Sequence, residues 1–265
     1  MTARKAILID TTLCTGCDRC VEACKQENKL GKDLPRRWKH SIDDLSSTRF
    51  TTVIQREGNH FVRQLCRHCE QPACVSACIV GALKKTAEGP VIYDSAKCMG
   101  CRYCIMSCPF GIPRYDWENS IPYVRKCTMC YPRILDGQIP ACVEACPEKA
   151  TAFGPRDELL RKARHCIKEN PERYIQSVIG ENEVGGSSVI YISDIPLGFL
   201  SYNPKPGDQP LPSLTWSALS KVPPLIIGMG GFMTGIYWIV ERRMKLSAES
   251  MQAPASKGKK DNRSW

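Results

Sequence analysis

Sixteen of the seventeen cysteines stand in four runs of four, each with the close spacing of a metal-binding loop. The first run is Cys14-x2-Cys17-x2-Cys20-x3-Cys24. The third, Cys98-x2-Cys101-x2-Cys104-x3-Cys108, repeats it and is followed by Pro109. The second is Cys66-x2-Cys69-x4-Cys74-x3-Cys78, and the fourth, Cys127-x2-Cys130-x11-Cys142-x3-Cys146, precedes Pro147. Three thiolates two residues apart lie on one tight loop. Its backbone wraps a cube of iron and sulfide, and its amides can point at the sulfurs. This is the spacing of 4Fe–4S ligation, in which the fourth cysteine reaches a different cluster. The sixteen thiolates suffice for four 4Fe–4S clusters, with all sixteen cysteines as iron ligands. One-electron transfer is the chemistry such centres supply.

Two plainer uses of cysteine fit less well. Zinc prefers paired Cys-x2-Cys units and needs four ligands per ion, so a compact x2, x2, x3 run is a poor zinc pattern. A disulfide framework suits a small secreted scaffold; this chain has an odd cysteine count, and no secretory signal is read in it. Cys166, in Arg164-His165-Cys166-Ile167, has no companions at ligand spacing and reads as a buried structural thiol. His40, His60, His68 and His165 form no cluster, and His68 is placed to hydrogen-bond locally.

The loops need elements to hold them. Ala6 to Asp10 reads as a strand leading into the first loop. Gly81 to Lys84 and Val91 to Asp94 read as two strands around Glu88-Gly89-Pro90, and a further strand is expected around Ala150 to Phe153. Strand, cysteine loop, helical turn and strand is the ferredoxin module, present twice. The fold class is therefore α+β: duplicated bacterial-ferredoxin-like modules with long insertions, plus one C-terminal transmembrane helix. One insertion, residues 25–65, is polar and basic, with Arg36, Arg37, Trp38, Arg49 and Arg56. Residues 154–200 open with a helix from Arg156 to Cys166. Each of these two segments reads as a partner-docking surface or as a shield over the outer clusters. The division is a four-cluster domain at 1–153, a docking or linker segment at 154–215, an anchor at 216–241 and a basic tail at 242–265.

Charge and hydropathy place the chain. Its 265 residues carry a formal net charge of +10. No helix or aromatic platform for nucleic acid accompanies that charge, so nucleic acid is not an expected partner. Thiolate-ligated clusters are anionic, and Arg19, Arg67, Lys97, Arg102, Lys126 and Lys149, within or beside the runs, read as cations that offset them. Val222 to Val240 contains no charge, and its helical length of about 28 Å matches a bilayer core. Trp216 and Tyr237-Trp238 flank it as interfacial aromatics, and Gly231-x3-Gly235 offers a smooth face to another helix. Arg242, Arg243, Lys245, Lys257, Lys259, Lys260 and Arg263 follow it. The positive-inside rule then puts the tail in the cytoplasm and the cluster domain on the periplasmic side of the cytoplasmic membrane. The N-terminal MTARKAILID reads as neither a Sec nor a twin-arginine signal, so passage as a folded complex on a partner's twin-arginine leader is expected.

Cys98-Met99-Gly100-Cys101-Arg102-Tyr103-Cys104 with Cys108-Pro109-Phe110, Pro140 to Pro147, and Val184-Gly185-Gly186-Ser187 ahead of the anchor carry a family resemblance. The chain resembles the four-cluster beta subunits of membrane-bound respiratory oxidoreductases, in particular formate dehydrogenase-N and hydrogenase-2-type iron–sulfur subunits. The resemblance implies four ligand sets. They are Cys14, Cys17, Cys20 and Cys146; Cys127, Cys130, Cys142 and Cys24; Cys66, Cys69, Cys74 and Cys108; and Cys98, Cys101, Cys104 and Cys78. Lys25 and Ile79 stand where proline often follows the last cysteine, which removes no ligand. The resemblance also implies a catalytic partner of molybdopterin or nickel–iron type and a membrane cytochrome b or other quinone-reactive subunit. No catalytic constellation is read in the chain itself, and the anchor has no histidine for haem. The alternatives are a quinol-oxidising reductase subunit of sulfur-compound or nitrite type and, more distantly, a zinc-rich interaction protein.

Overall fold

The computed structural model describes residues 3–33, 44–117, 123–203 and 205–252. The chain divides into two compact units, Met1–Leu214 and Thr215–Trp265. In chain order the first unit contains β1 (Lys5–Asp10), α1 (Arg19–Glu27), β2 (Thr52–Arg56), β3 (His60–Gln64), α2 (Ala73–Ser76), β4 (Leu83–Lys85) and β5 (Val91–Tyr93). It continues with α3 (Tyr103–Met106), β6 (Arg114–Tyr115), β7 (Val124–Arg125), α4 (Tyr131–Leu135), α5 (Ala141–Glu144), β8 (Thr151–Pro155), α6 (Arg156–Glu169) and β9 (Val189–Ile192). Then come α7 (Leu211–Leu219) and α8 (Val222–Gln252).

The centre of the first unit is a three-stranded sheet in the order β8-β1-β9. β1 runs antiparallel to β8, from Lys5 opposite Pro155 to Ile9 opposite Thr151, and parallel to β9, from Ile7 opposite Val189 to Asp10 opposite Ile192. Ala6-Ile7-Leu8-Ile9 is an unbroken apolar run because both faces of the strand are covered. The period of two sends Ile7 and Ile9, with Val189 and Tyr191, to the face packed on the cysteine loops. Ala6 and Leu8, with Ile190 and Ile192, go to the other face, against Leu159, Leu160, Ala163 and Ile167 of α6. Those helix positions recur every three or four residues, the stripe of an amphipathic helix. Each fully buried Ile or Leu here contributes roughly 1.5–3 kcal/mol.

Several boundaries differ from the sequence reading. α6 runs three residues further than expected, to Glu169, and leaves Cys166 half-buried at the edge of this second core. Residues 154–200 supply α6 and the buried strand β9, so they belong to the packed body. Residues 154–214 fall in the same compact unit as residues 1–153. The insertion at 25–65 holds the antiparallel hairpin of β2 and β3, which turns through Gly58 and Asn59, both at positive φ. Val62 and Arg63 of that hairpin are buried. Arg49 of the insertion pairs with Asp33, and the Arg56 guanidinium lies 3.9 Å from the Phe199 ring centroid. Arg36, Arg37, Trp38 and His40 lie outside the described residues.

The second unit carries one helix long and apolar enough, by length and composition, to cross a membrane. α8 continues through the charged residues after Val240 to Gln252, so the segment expected as a tail begins helical. Glu241 and Lys245, four apart, pair at 2.9 Å, and Arg242 lies over Trp238. Lys257, Lys259, Lys260 and Arg263 lie outside the described residues.

Candidate iron–sulfur centres

The first and third runs fold alike because their flanks are alike. Asp10 and Asp94 each close a one-turn helix, their carboxylates accepting from the amides of Thr12 and Ala96, both at 3.0 Å. The next cysteine amides, of Cys14 and Cys98, donate to the Thr11 and Ser95 carbonyls at 3.2 Å. Gly16 and Gly100 then share a φ of 73°, a left-handed turn that a side chain would strain. At Gly16 there is a second reason: a Cβ would run into the Phe61 ring. Asp18 and Arg102, also at positive φ, deliver the chain into α1 and α3.

The second and fourth runs match in the same way. Pro72 and Pro140 precede α2 and α5, each a single turn that presents Cys74 or Cys142. After the last cysteine the chain turns left-handed at Gly81 in one case and Lys149 in the other.

Folding brings the thiols into four neighbourhoods. Cys14, Cys17, Cys20 and Cys146 line one concavity of about 420 Å³. Cys78, Cys98, Cys101 and Cys104 line another of about 310 Å³. Burial, reinforced by Cys24, Cys142 and Cys130, pushes the Cys127 thiol well above its ordinary range. Burial acts likewise on Cys69, with Cys108, Cys66 and Cys74 beside it. The neighbourhoods also touch. Cys20 faces Cys142, Cys127 faces Cys66, and Cys74 faces Cys104. Each neighbourhood therefore borders the next, from the first run's loop through the fourth and second to the third's.

The donor set suits a cluster. Burial drives Cys20, Cys104 and Cys130 up to about 11 and Cys24 and Cys74 up to about 12. Burial thus favours the neutral form of these five thiols, and a strongly cationic centre would draw off their protons. Backbone amides already aim at sulfur. The Met129 N–H donates to Cys127 Sγ at 3.2 Å, and the Ile112, Phe110 and Gly111 amides oppose the effect of burial on Cys108. Among the described residues, no three His, Cys, Asp or Glu side chains converge closely enough for one metal ion.

Of the six cations expected to offset cluster charge, Arg67 and Lys126 are buried, and the other four are exposed. Arg67 lies against the rings of Tyr191 and Phe110, at 4.2 and 5.2 Å. Lys126 Nζ donates to the Val91 and Cys127 carbonyls. Exposed Lys97 pairs with Asp94 at 3.7 Å, and Arg102 covers Tyr115 and Trp117. His68 Nδ1 accepts from the Val91 amide at 2.9 Å, and burial, with Lys126 and Lys85 nearby, keeps the ring neutral. Sequence reasoning missed Arg63, which is 2% exposed and borders the first concavity. The alternation of β3 carries the signal, but only once the hairpin that contains it is recognised.

Comparison with known proteins bears on this geometry. Residues 13–83 and residues 58–156 each match a family described as a 4Fe-4S dicluster domain. The chain is 32% identical over 229 residues to the hydrogenase-2 operon protein HybA of Escherichia coli O157:H7, covering 72% of this chain and 70% of that protein. It is 36% identical over 206 residues to the iron–sulfur subunit of nitrate-inducible formate dehydrogenase of Escherichia coli K12, covering 72% and 68%. It is 38% identical over 164 residues to an anaerobic dimethyl sulfoxide reductase subunit of the same organism, covering 61% and 78%. Four cysteine neighbourhoods built on repeated loops, and relatives matched over two thirds of their length, place this chain in the 4Fe-4S dicluster family of oxidoreductase iron–sulfur subunits, as an electron-transfer subunit.

Proposed function

We propose that the chain holds four 4Fe–4S clusters as a single wire between a catalytic subunit of formate dehydrogenase or hydrogenase type and a quinone-reactive membrane subunit. The ligand sets are Cys14, Cys17, Cys20 and Cys146; Cys24, Cys127, Cys130 and Cys142; Cys66, Cys69, Cys74 and Cys108; and Cys78, Cys98, Cys101 and Cys104. The observation that carries this reading is the mutual approach of the thiols in these four groups, each group bordering the next. When bound, the clusters supply one-electron chemistry. The chain's own residues position the thiolates, donate amide hydrogen bonds to sulfur and exclude water. The likeness to a hydrogenase-2 operon protein and to a formate dehydrogenase subunit supports the choice of catalytic partner. The α8 helix supports attachment to the cytoplasmic membrane by a single pass. The cations after Val240 favour a cytoplasmic C-terminus, with the cluster domain on the periplasmic side.

A second reading is that the wire runs the other way, from quinol to a reductase of sulfur compounds. The likeness to a dimethyl sulfoxide reductase subunit favours it.

Anaerobically purified protein is expected to be brown, to bleach with dithionite, and to contain about sixteen irons per chain with matching acid-labile sulfide. Iron near twelve per chain would remove one cluster from the wire, and colourless protein would end the proposal. Copurification separates the partners: a molybdopterin subunit points to formate or dimethyl sulfoxide chemistry, a nickel–iron subunit to hydrogen. Protease added outside intact spheroplasts should reach the cluster domain; cleavage confined to the tail would reverse the orientation.

A further inference from the structure

Among the described residues, Arg63 is a buried charge with two buried nitrogens that lack a hydrogen-bond partner. Its position is fixed at both ends. The backbone pairs with Val53 across the β2–β3 hairpin, and its carbonyl accepts from the Tyr191 hydroxyl at 2.9 Å. Its Nε donates to Thr51 Oγ1 at 3.0 Å, while Thr51 donates to the Gln64 carbonyl. Beyond Nε the guanidinium has the Cys142 sulfur beside it. Nη1 and Nη2 are both buried and have no hydrogen-bond partner. Arg67 keeps two aromatic rings and Lys126 two carbonyls; the outer nitrogens of Arg63 have neither.

An unpaired guanidinium in such a place is costly unless a counter-charge stands beside it. The side chains that lie beside it are those of Cys142 and Cys20. Those two cysteines belong to different neighbourhoods. Cys20 is in the set with Cys14, Cys17 and Cys146, and Cys142 is in the set with Cys24, Cys127 and Cys130. Arg63 borders the concavity of the first set while feeling the second.

We propose that Arg63 is the shared counter-cation of the two centres formed by the first and fourth runs, its unpartnered N–H groups bonding to cluster sulfur and its charge raising both reduction potentials. This rests on the cluster reading above. A fixed positive charge stabilises the reduced, more negative form of a nearby centre. Placed between two such centres, it also weakens the repulsion between an electron on one and an electron on the next. The role is positional and electrostatic: Arg63 transfers nothing itself.

The test is potentiometric titration of the full chain followed by electron paramagnetic resonance, with iron and sulfide assayed on the same samples. Arg63→Gln should move two of the four midpoints downward. At a fixed potential, the reduced-to-oxidised ratio of those two clusters should fall about tenfold, which is about 59 mV for a one-electron couple. The other two should stay in place. Arg63→Lys, which keeps the charge, should recover most of the shift. Thr51→Val, which frees the guanidinium without removing it, should move the same two midpoints by less, and it serves as the readout if the glutamine variant does not assemble. Full iron with unmoved midpoints in Arg63→Gln or, if that variant fails to assemble, in Thr51→Val would overturn the proposal. So would a lysine variant as displaced as the glutamine one, because charge would then be irrelevant. Absence of iron from the native chain would instead overturn the cluster reading beneath it.

Discussion

The half of the molecule built from the first and fourth runs and the half built from the second and third carry the same loops on very different foundations. In the first, α1 and α5 pack beside a three-stranded sheet that is buried on both faces. In the second, the loops rest on two-stranded ribbons, β4–β5 and β6–β7, over a small core of Leu83, Val91, Cys104 and Val124. Ile79, Met99, Tyr103 and Met106 stand exposed around that half, Met106 at 84%. The turn geometry is nonetheless the same, down to the φ of Gly16 and Gly100. Loop shape is therefore set locally, by Asp caps and left-handed residues, and not by the mass of protein beneath. What the larger core adds is resistance to opening.

The largest test of this difference is removal of iron. Complete chelation is expected to unfold most of the chain, because the clusters are crosslinks that the small core cannot replace. During partial removal, hydrogen exchange should show β4 and β5 amides losing protection before those of β1 and β9. Equal protection would erase the distinction, and native-like circular dichroism after complete iron removal would sink the crosslink argument altogether. A smaller effect comes from matched core truncations. Val189→Ala, at the sheet, should cost about 2–3 kcal/mol, and Val91→Ala, on the ribbon, about 1–2 kcal/mol, since the thinner core can collapse around the lost methyls. Native-state exchange at neighbouring amides measures both, and a reversed order would refute the ranking.

The smallest effect concerns the ion pairs that tie the insertion to the end of α1. The hydrogen bond from Arg49, with Lys25 also helping and partial burial opposing, holds the Asp33 carboxyl down at about 2. Its folded value lies below its unfolded one, so the stability it brings is present above the ordinary carboxylate range and is lost as pH falls toward about 2. Asp33 is largely exposed, so Asp33→Asn should cost less than about 1 kcal/mol. The cost should be the same at about pH 6 and about pH 9, both far above that titration. A melting-temperature difference that varies across this interval would mean another group is involved.

Much of this was legible in the chain. The cysteine spacing marked the loops, Ala6-Ile7-Leu8-Ile9 marked β1, and Glu88-Gly89-Pro90 marked the turn between β4 and β5. β9 was not legible, because four apolar residues between serines carry no periodicity that separates a buried strand from a buried helix turn. Its partner β1 also lies at the opposite end of the cluster body's sequence, beyond any local pattern. The β2–β3 hairpin was hidden by Arg36, Arg37, Arg49 and Arg56, which made residues 25–65 look polar and basic. Arginine on a strand reads as exposed until the pairing register shows which face it takes. α8 overran its apolar stretch because Glu241 and Lys245 support one another across a turn.

The sheet order β8-β1-β9 has a consequence for biosynthesis. The central strand leaves the ribosome before either of its neighbours, which are both encoded near the far end of the cluster body. Until β8 and β9 emerge, β1 is a naked, sticky segment with nothing native to bind. The ribbons under the second and third runs, whose partners are close in sequence, can close at once. The most solid region of the finished molecule is thus the last to become solid. Any machinery that delivers iron to the nascent polypeptide meets the ribbon-built half first.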